Sequence, residues 1–570
     1  MSDNKPLRLV LCWHMHQPEY RDLMSGEYQL PWTYLHAIKD YVDMAAHLEA
    51  VPAARAVVNF APVLLDQIED YANQLQAYLK DSAPLRDPLL AALDSPVLPA
   101  RRDARLELMQ ACLRVNRERL IAPFAAYKRL AEMVDWLEDR PDAVMYVGEQ
   151  FLADLVVWYH LAWLGETVKR SDLRAKRLME KGSGYTLHER RDLLALIAEL
   201  VSGVIPRYRA LAARGQVELS VNPYAHPIVP LLLELSSARE ALPASPLPLL
   251  DRYPGGEARA RWHIERGLAV FERHFGFRPK GCWPSEGSVS TAALRLLAEA
   301  GFRWAASGGS VLRNSLEAAG EAAVKTREQQ IYRPHRFAGG GDIACFFRDD
   351  GLSDKIGFTY ATWHGDDAVN NLIHHLETIA DGCNDGGDYL VPIILDGENA
   401  WEYYPNNGYY FLSALYRRLA DHPRIRLTTF SDYLDAGGAS VDSPKLVAGS
   451  WVYGTFSTWI GDKDKNRAWD FLGDAKRAYD KALASGYLVG ELREAAERQL
   501  AVCEGSDWFW WFGDYNPGGT VRDFERLYRL HLANLYHMMG EEPPDYLARV
   551  ISQGGGAPVH GGTMRPGQAS

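Results

Sequence analysis

The chain has 570 residues, too many for one ordinary domain, and its 47% hydrophobic and 24% charged content suits a globular protein with a sizeable core. A formal net charge of -12 argues against a nucleic acid or an anionic membrane as partner and leaves a neutral one open. No apolar stretch approaches about 18 residues, no signal-like segment precedes the first strand, and the 6 cysteines form no C-x-x-C pair, so a cytoplasmic protein with free thiols and no zinc cluster is expected.

In chain order, Leu7 to Trp13 reads as a buried strand running into His14, His16 and Gln17. Two histidines at spacing two on extended chain point to one side. A helix is expected from Pro31 to Ala46, and a second strand at Ala56 to Phe60. The charged, irregular helical patterns at about 81–140 and 161–201 read as insertions on the periphery, their charge runs as solvated faces. Gly215 to Asn222 is the next strand and leads to His226. A helix from Gly255 to Phe275 then brings the chain to Pro279–Trp283, a strand followed by Glu286 on a loop, with Ser290 as helix N-cap.

Further strands are expected at Trp304 to Ser307, at Ile343 to Phe347 with Asp354 downstream, at Leu390 to Leu395, and at Ile425 to Thr429. The Leu390 strand ends in Asp396, Glu398 and Asn399, with Trp401 next. Alternating strands and helices over this length indicate an α/β fold, a barrel of seven or eight strands. A Gly/Ser/Pro-rich linker after about residue 435 precedes three helices, at Arg467 to Ala484, Glu491 to Cys503 and Val521 to Met539. The domain expectation is a catalytic barrel over 1–435, a helical domain over 436–552 that lends loops to the site, and a disordered tail over 553–570.

Strand ends carrying acids and imidazoles at the C-terminal face of a barrel converge on one site. Glu286 and Asp396, each near a tryptophan, are the pair that acetal hydrolysis needs: one carboxylate meets the anomeric carbon and the other, protonated, supplies the leaving oxygen. Flat rings such as Trp401 and the 451–464 and 504–514 loops suit the apolar faces of pyranoses.

These segments resemble the five sequence motifs of glycoside hydrolase family 57, the amylase, amylopullulanase and glucanotransferase group. His14-Met15-His16-Gln17-Pro18 is similar to the first, Gly215 to Glu218 with Asn222 and His226 to the second, and Trp283-Pro284-Ser285-Glu286 to the third. Leu395 to Asn399 is similar to the fourth and Trp459 to Asp462 to the fifth. The resemblance implies a (β/α)7-type barrel followed by a smaller helical domain, and a retaining mechanism with Glu286 as nucleophile and Asp396 as general acid and base, needing no ion or cofactor. It implies subsites at His14, His16, Glu218, His226, Trp283 and Asp462; Gln17, Asn222, Asp354, Glu398, Trp401, Trp459 and Trp510 join them as candidates. A negative Glu286 would hold Asp396 protonated.

Trp283 to Ser290 and Leu395 to Pro405 look more like the amylase type than the branching enzymes. Hydrolysis of α-1,4 bonds is therefore the first expectation, with 4-α-glucanotransfer or branching as alternatives. Two other readings stay open: a metal-dependent carbohydrate hydrolase or deacetylase using His14, His16, His226 and Asp396, and a glucan-binding protein without catalysis.

Overall fold

Ten strands share one sheet: β1 (Leu7–Met15), β2 (Ala56–Phe60), β3 (Val217–Val221), β4 (Gly281–Cys282), β5 (Trp304–Gly308), β6 (His335–Phe337), β7 (Ala344–Arg348), β8 (Leu390–Asp396), β9 (Ile425–Leu427) and β10 (Val441–Ser443). They belong to a computed structural model that describes residues 5–320, 330–383, 386–556 and 563–565. Neighbours run β10-β6-β7-β5-β4-β3-β2-β1-β8, and β9 also pairs with β1. From β7 to β8 this path is seven consecutive parallel strands, the expected (β/α)7-type sheet. Its two ends, β7 and β8, approach through Asp349 N–H donating to Pro392 O at 2.8 Å and Arg348 Nε donating to Ile394 O at 2.7 Å.

Every residue of β8 is buried, as is all of β1 but Arg8. Covered on both faces, these strands need no apolar/polar alternation, and each fully buried Leu or Ile contributes roughly 1.5–3 kcal/mol. Register then does the placing: His14 lies abreast of Asn59 on one side and Asp396 on the other, so the polar ends of three strands arrive together.

The eighth expected strand, β9, pairs only with the first three residues of β1. The sequence reading missed β6 and β10; β10 lies within the stretch expected as a linker and runs parallel to β6. Three-residue strands with polar members carry no periodic signal.

The short β4 tolerates no side chain at Gly281, where a Cβ would fall 1.7 Å from the Trp304 indole. Helices Lys463–Ala484, Gly490–Cys503 and Gly518–Met538 form the C-terminal helical region. Its fastening to the barrel side is a buried ion pair: Glu504 accepts from Arg259, His263 and Tyr253. Burial alone would raise the Glu504 carboxyl, but Arg259 and His263 bring it down to about 2. Among the described residues no helix is long and apolar enough to cross a membrane. Of the segment expected as a disordered tail, residues 557–562 and 566–570 lie outside the described residues. Within it, Arg565 stacks over Trp510.

Candidate active site

Glu286 follows β4 on a short turn and has left-handed backbone, φ 57°. His226 does too, φ 61°. Side chains there strain the backbone by about 1–3 kcal/mol, a strain that persists only where surrounding contacts over-determine it. The contacts are present. Asn222 Nδ2 donates to Trp283 O at 2.7 Å and Ser307 Oγ to Gly287 O at 2.6 Å. Val289 and Gly449 exchange backbone hydrogen bonds, and Trp451 N–H donates to Glu286 O. The Trp451 indole N–H also donates to the Glu286 carboxyl at 2.8 Å.

Asp396 is the last residue of β8. Asn399 Nδ2 donates to it at 2.9 Å, and Gly397 N–H to His14 O at 2.7 Å. The next acid, Glu398, accepts from the His16 N–H and from Gln17 Nε2, both at 3.1 Å. It fixes the two polar loops to each other, as a loop-holding acid would.

The three histidines form a stack. The His16 and His226 rings lie 3.7 Å apart and nearly parallel, and His14 Nε2 is 3.1 Å from His226 Nε2. Asn59 donates its amide to Ser220, so its oxygen accepts from His14 Nδ1–H; His14 Nε2 then accepts from His226 Nε2–H, and His226 Nδ1 accepts from Ser506. Burial first, and then the neighbouring imidazoles, lower His14 to about 3 and His226 well below the usual range, so both rings are neutral at neutral pH. His16 Nε2 meets Asp507 Oδ1 at 2.8 Å.

Burial raises both acids. Asp396 reaches about 6, with Asn399, His16 and Arg348 opposing. Glu286 is pushed well up by burial and then by the charge of Asp396, against the Trp451 N–H. A negative Glu286 was expected to help hold Asp396 protonated; burial is the first cause of the rise at Asp396, and the charge effect between the two acids falls on Glu286. Two desolvated carboxyls that feel each other titrate as a pair.

His14, His16, Gln17, Glu286, Asp396, Glu398 and Trp510 line one cavity of about 460 Å³. His226 stands behind it, its Nδ1 3.9 Å from Glu286, and Trp283 is wholly buried against Trp451 and His14. Asn222 holds the chain just before Glu286 through the Trp283 carbonyl.

Other candidates sit elsewhere. Glu218 lies early in β3 and takes the Trp304 indole and Ser431, away from the strand ends. Asp354 pairs with buried Arg348 at 2.6 Å. Trp401 is a core residue, corrected from a sugar platform: it is 1% exposed, donates to Gly397 O, and packs on Trp13 and Tyr404. Trp459 is likewise fully buried, against Trp510. Asp462 caps the helix Lys463–Ala484. Acid-next-to-aromatic sequence does not distinguish a platform from a core ring.

The sequence reading did not single out Trp451, Asp507, Asn59, Trp32, Arg114 and Asn116. Trp451 and Asp507 fall in the two flagged aromatic loops. Asn59 lies one residue before the end of β2, which is a usable signal. Trp32 carries none, and Arg114 and Asn116 belong to the helical segment expected at the periphery, which instead reaches the cavity.

His16, His226 and Asp507 bring possible metal ligands within 4.8 Å of one another. The set does not suit an ion. Both His226 nitrogens are engaged by His14 and Ser506, and parallel stacked imidazoles send their in-plane lone pairs alongside each other rather than to one point.

The family model described as glycosyl hydrolase family 57 matches residues 10–445. A 1,4-alpha-glucan branching enzyme of Thermococcus kodakarensis is 20% identical over 411 residues, 59% of this chain; the match spans little more than half of that relative, 56% of its length. Among solved structures, a branching enzyme of this family from Pyrococcus horikoshii superposes with a TM-score of 0.56 at 16% identity, over 95% of this chain and 93% of that one. An alpha-amylase from Thermotoga maritima gives 0.53 at 13% identity, over 95% and 96%. A 4-alpha-glucanotransferase from Thermococcus litoralis gives 0.50 at 14% identity, over 93% and 60%.

Proposed function

The chain belongs to glycosyl hydrolase family 57, whose members act on α-glucans as hydrolases or transglycosylases, and from that premise we propose that it cleaves α-1,4-glucosidic bonds with retention. The observation that carries this reading is the pair of buried carboxyls, Glu286 and Asp396, lining one cavity with imidazoles and tryptophans. Asp396, raised to about 6, holds a proton at mildly acidic pH and gives it to the departing glucosidic oxygen. The reactive form is the one in which the single proton held by the pair rests on Asp396 and Glu286 is ionised, the form that the Trp451 N–H favours; Glu286 then attacks the anomeric carbon and forms the glycosyl-enzyme. Asp396 then takes the proton of the incoming hydroxyl as its oxygen bonds to the anomeric carbon and the bond from that carbon to Glu286 breaks, which restores both acids. His16 lines the cavity, and its buried Nδ1 has no hydrogen-bond partner among the described residues.

Water and a glucan hydroxyl are the two possible acceptors. Transfer to a glucan hydroxyl is the alternative, supported by Trp451, Trp510 and Trp511, which line the cavity and offer faces on which an acceptor ring can pack. Incubation with maltoheptaose tests both. Reducing ends that rise with only shorter products mean hydrolysis; a ladder of longer and shorter chains means 4-α-glucanotransfer, and new α-1,6 points mean branching. No turnover of any α-glucan would overturn the reading.

A further inference from the structure

Leu30, Trp32 and Arg114 line the catalytic cavity and also a second, larger one of about 740 Å³. This second space is roofed by the helical segment expected at the periphery and falls within the usual range for ligand pockets, about 300–1,000 Å³. Trp32, half-buried, stands at the junction with the Arg114 guanidinium over its ring at 5.9 Å. Arg114 pairs with Asp523 of the C-terminal helical region, and Asp523 lines the catalytic side. The two spaces therefore share a wall of Leu30, Trp32 and Arg114.

We infer that the second cavity is a distal binding site for the same α-glucan chain that reaches the two acids, entered past Trp32 and Arg114. The inference rests on the proposed function. Its lining is mainly apolar, with Tyr78 and Trp32 as ring faces and Asp94 and Glu107 among its polar groups. That is the surface of an α-glucan in complement: pyranose rings present C–H faces and carry their hydroxyls at the rim. The shared wall selects this occupant over an unrelated one. A ligand in the larger cavity touches the same indole and guanidinium as a sugar beside the acids, and a glucan longer than the smaller cavity has this adjoining space to enter.

Calorimetric titration of the Glu286→Gln protein with maltotriose and with short-chain amylose tests it. Affinity is expected to rise roughly tenfold or more with length, and Ala104→Trp, which fills the second cavity, to cut that gain at least about fivefold, while Ala104→Ser keeps it. Val97→Trp, at a position 66% exposed, repeats the test if Ala104→Trp does not fold. An unchanged gain in the tryptophan variants overturns the inference. So does binding of laurate that the tryptophan variants abolish while glucan affinity is independent of length, which would make the cavity a site for an apolar ligand. Length-dependent binding by a wild-type protein that turns over no glucan would sink the catalytic reading and leave this one standing.

Discussion

Asp396 ends a seven-residue strand buried at every position, whereas Glu286 follows a two-residue strand on a turn with left-handed backbone. Asp396 is aimed by ladder register, which any well-formed parallel sheet supplies. Glu286 is aimed by pins from outside its own element: Asn222, Ser307, and the 449–451 loop that gives it two hydrogen bonds from one tryptophan. The comparison shows that one acid's position is set by the fold and the other's by tertiary contacts made far along the chain.

The largest effects come from removing either acid. Glu286→Ala and Asp396→Ala should each lower kcat by roughly a thousandfold or more, and azide should partly restore Glu286→Ala with an inverted product. Near wild-type kcat in either variant would break the assignment.

Stability separates the two acids next. Asp396 is raised from 3.8 to about 6, so the folded state keeps its proton where the unfolded chain has lost it. Stability from this group therefore falls as pH rises from about 4 to about 6, and the full penalty, at most about 3 kcal/mol, remains above that window. Asp396→Asn should accordingly raise Tm at pH 8 and change it little at pH 3.5. A lower Tm at pH 8 would contradict this.

Trp451→Phe, which keeps an aromatic ring and removes the N–H, should cost about tenfold in kcat/KM through its effect on Glu286. The indole N–H favours the ionised carboxylate; without it the Glu286 pKa rises further, so the acid limb of the pH profile moves to higher pH. Asp396, Asp507, Arg565 and His226 also face this carboxyl and are unchanged in the variant. An acid limb that stays in place would show that the pin holds only the loop. The smallest effect on catalysis is expected at Trp401. Trp401→Phe should leave KM within about twofold and lower Tm by a few degrees, as for a core ring; a large rise in KM would return it to the sugar site.

How far the site could be read from sequence follows the same divide. Asp396, Glu398, His14 and His16 were legible because a buried apolar run ending in polar residues announces the C-terminal face of a parallel sheet. Glu286 was legible on the loop after the expected strand Pro279–Trp283 and again in its likeness to a family motif, although the strand itself shrinks to the two residues of β4. Trp451 was within reach only as a loop, since nothing local states which of many tryptophans turns its N–H toward a carboxyl 165 residues earlier. Trp401 shows the reverse failure. Its place beside two acids suggested a sugar platform, yet strand β8 sends Asp396 to the cavity and the turn after it sends Trp401 into the core, where it meets Trp13. The expected linker hid β10, because pairing with β6 is a tertiary fact.

The hydrogen bond from Trp451 to Glu286 bears on how the molecule can be divided. A cut at about residue 435, where composition changes, or at 445, where the family match stops, would discard Trp451, Asp507 and Ser506 while leaving both acids in place. The visible seam in the chain crosses the cavity that both acids line, and each side of the cut supplies part of its wall.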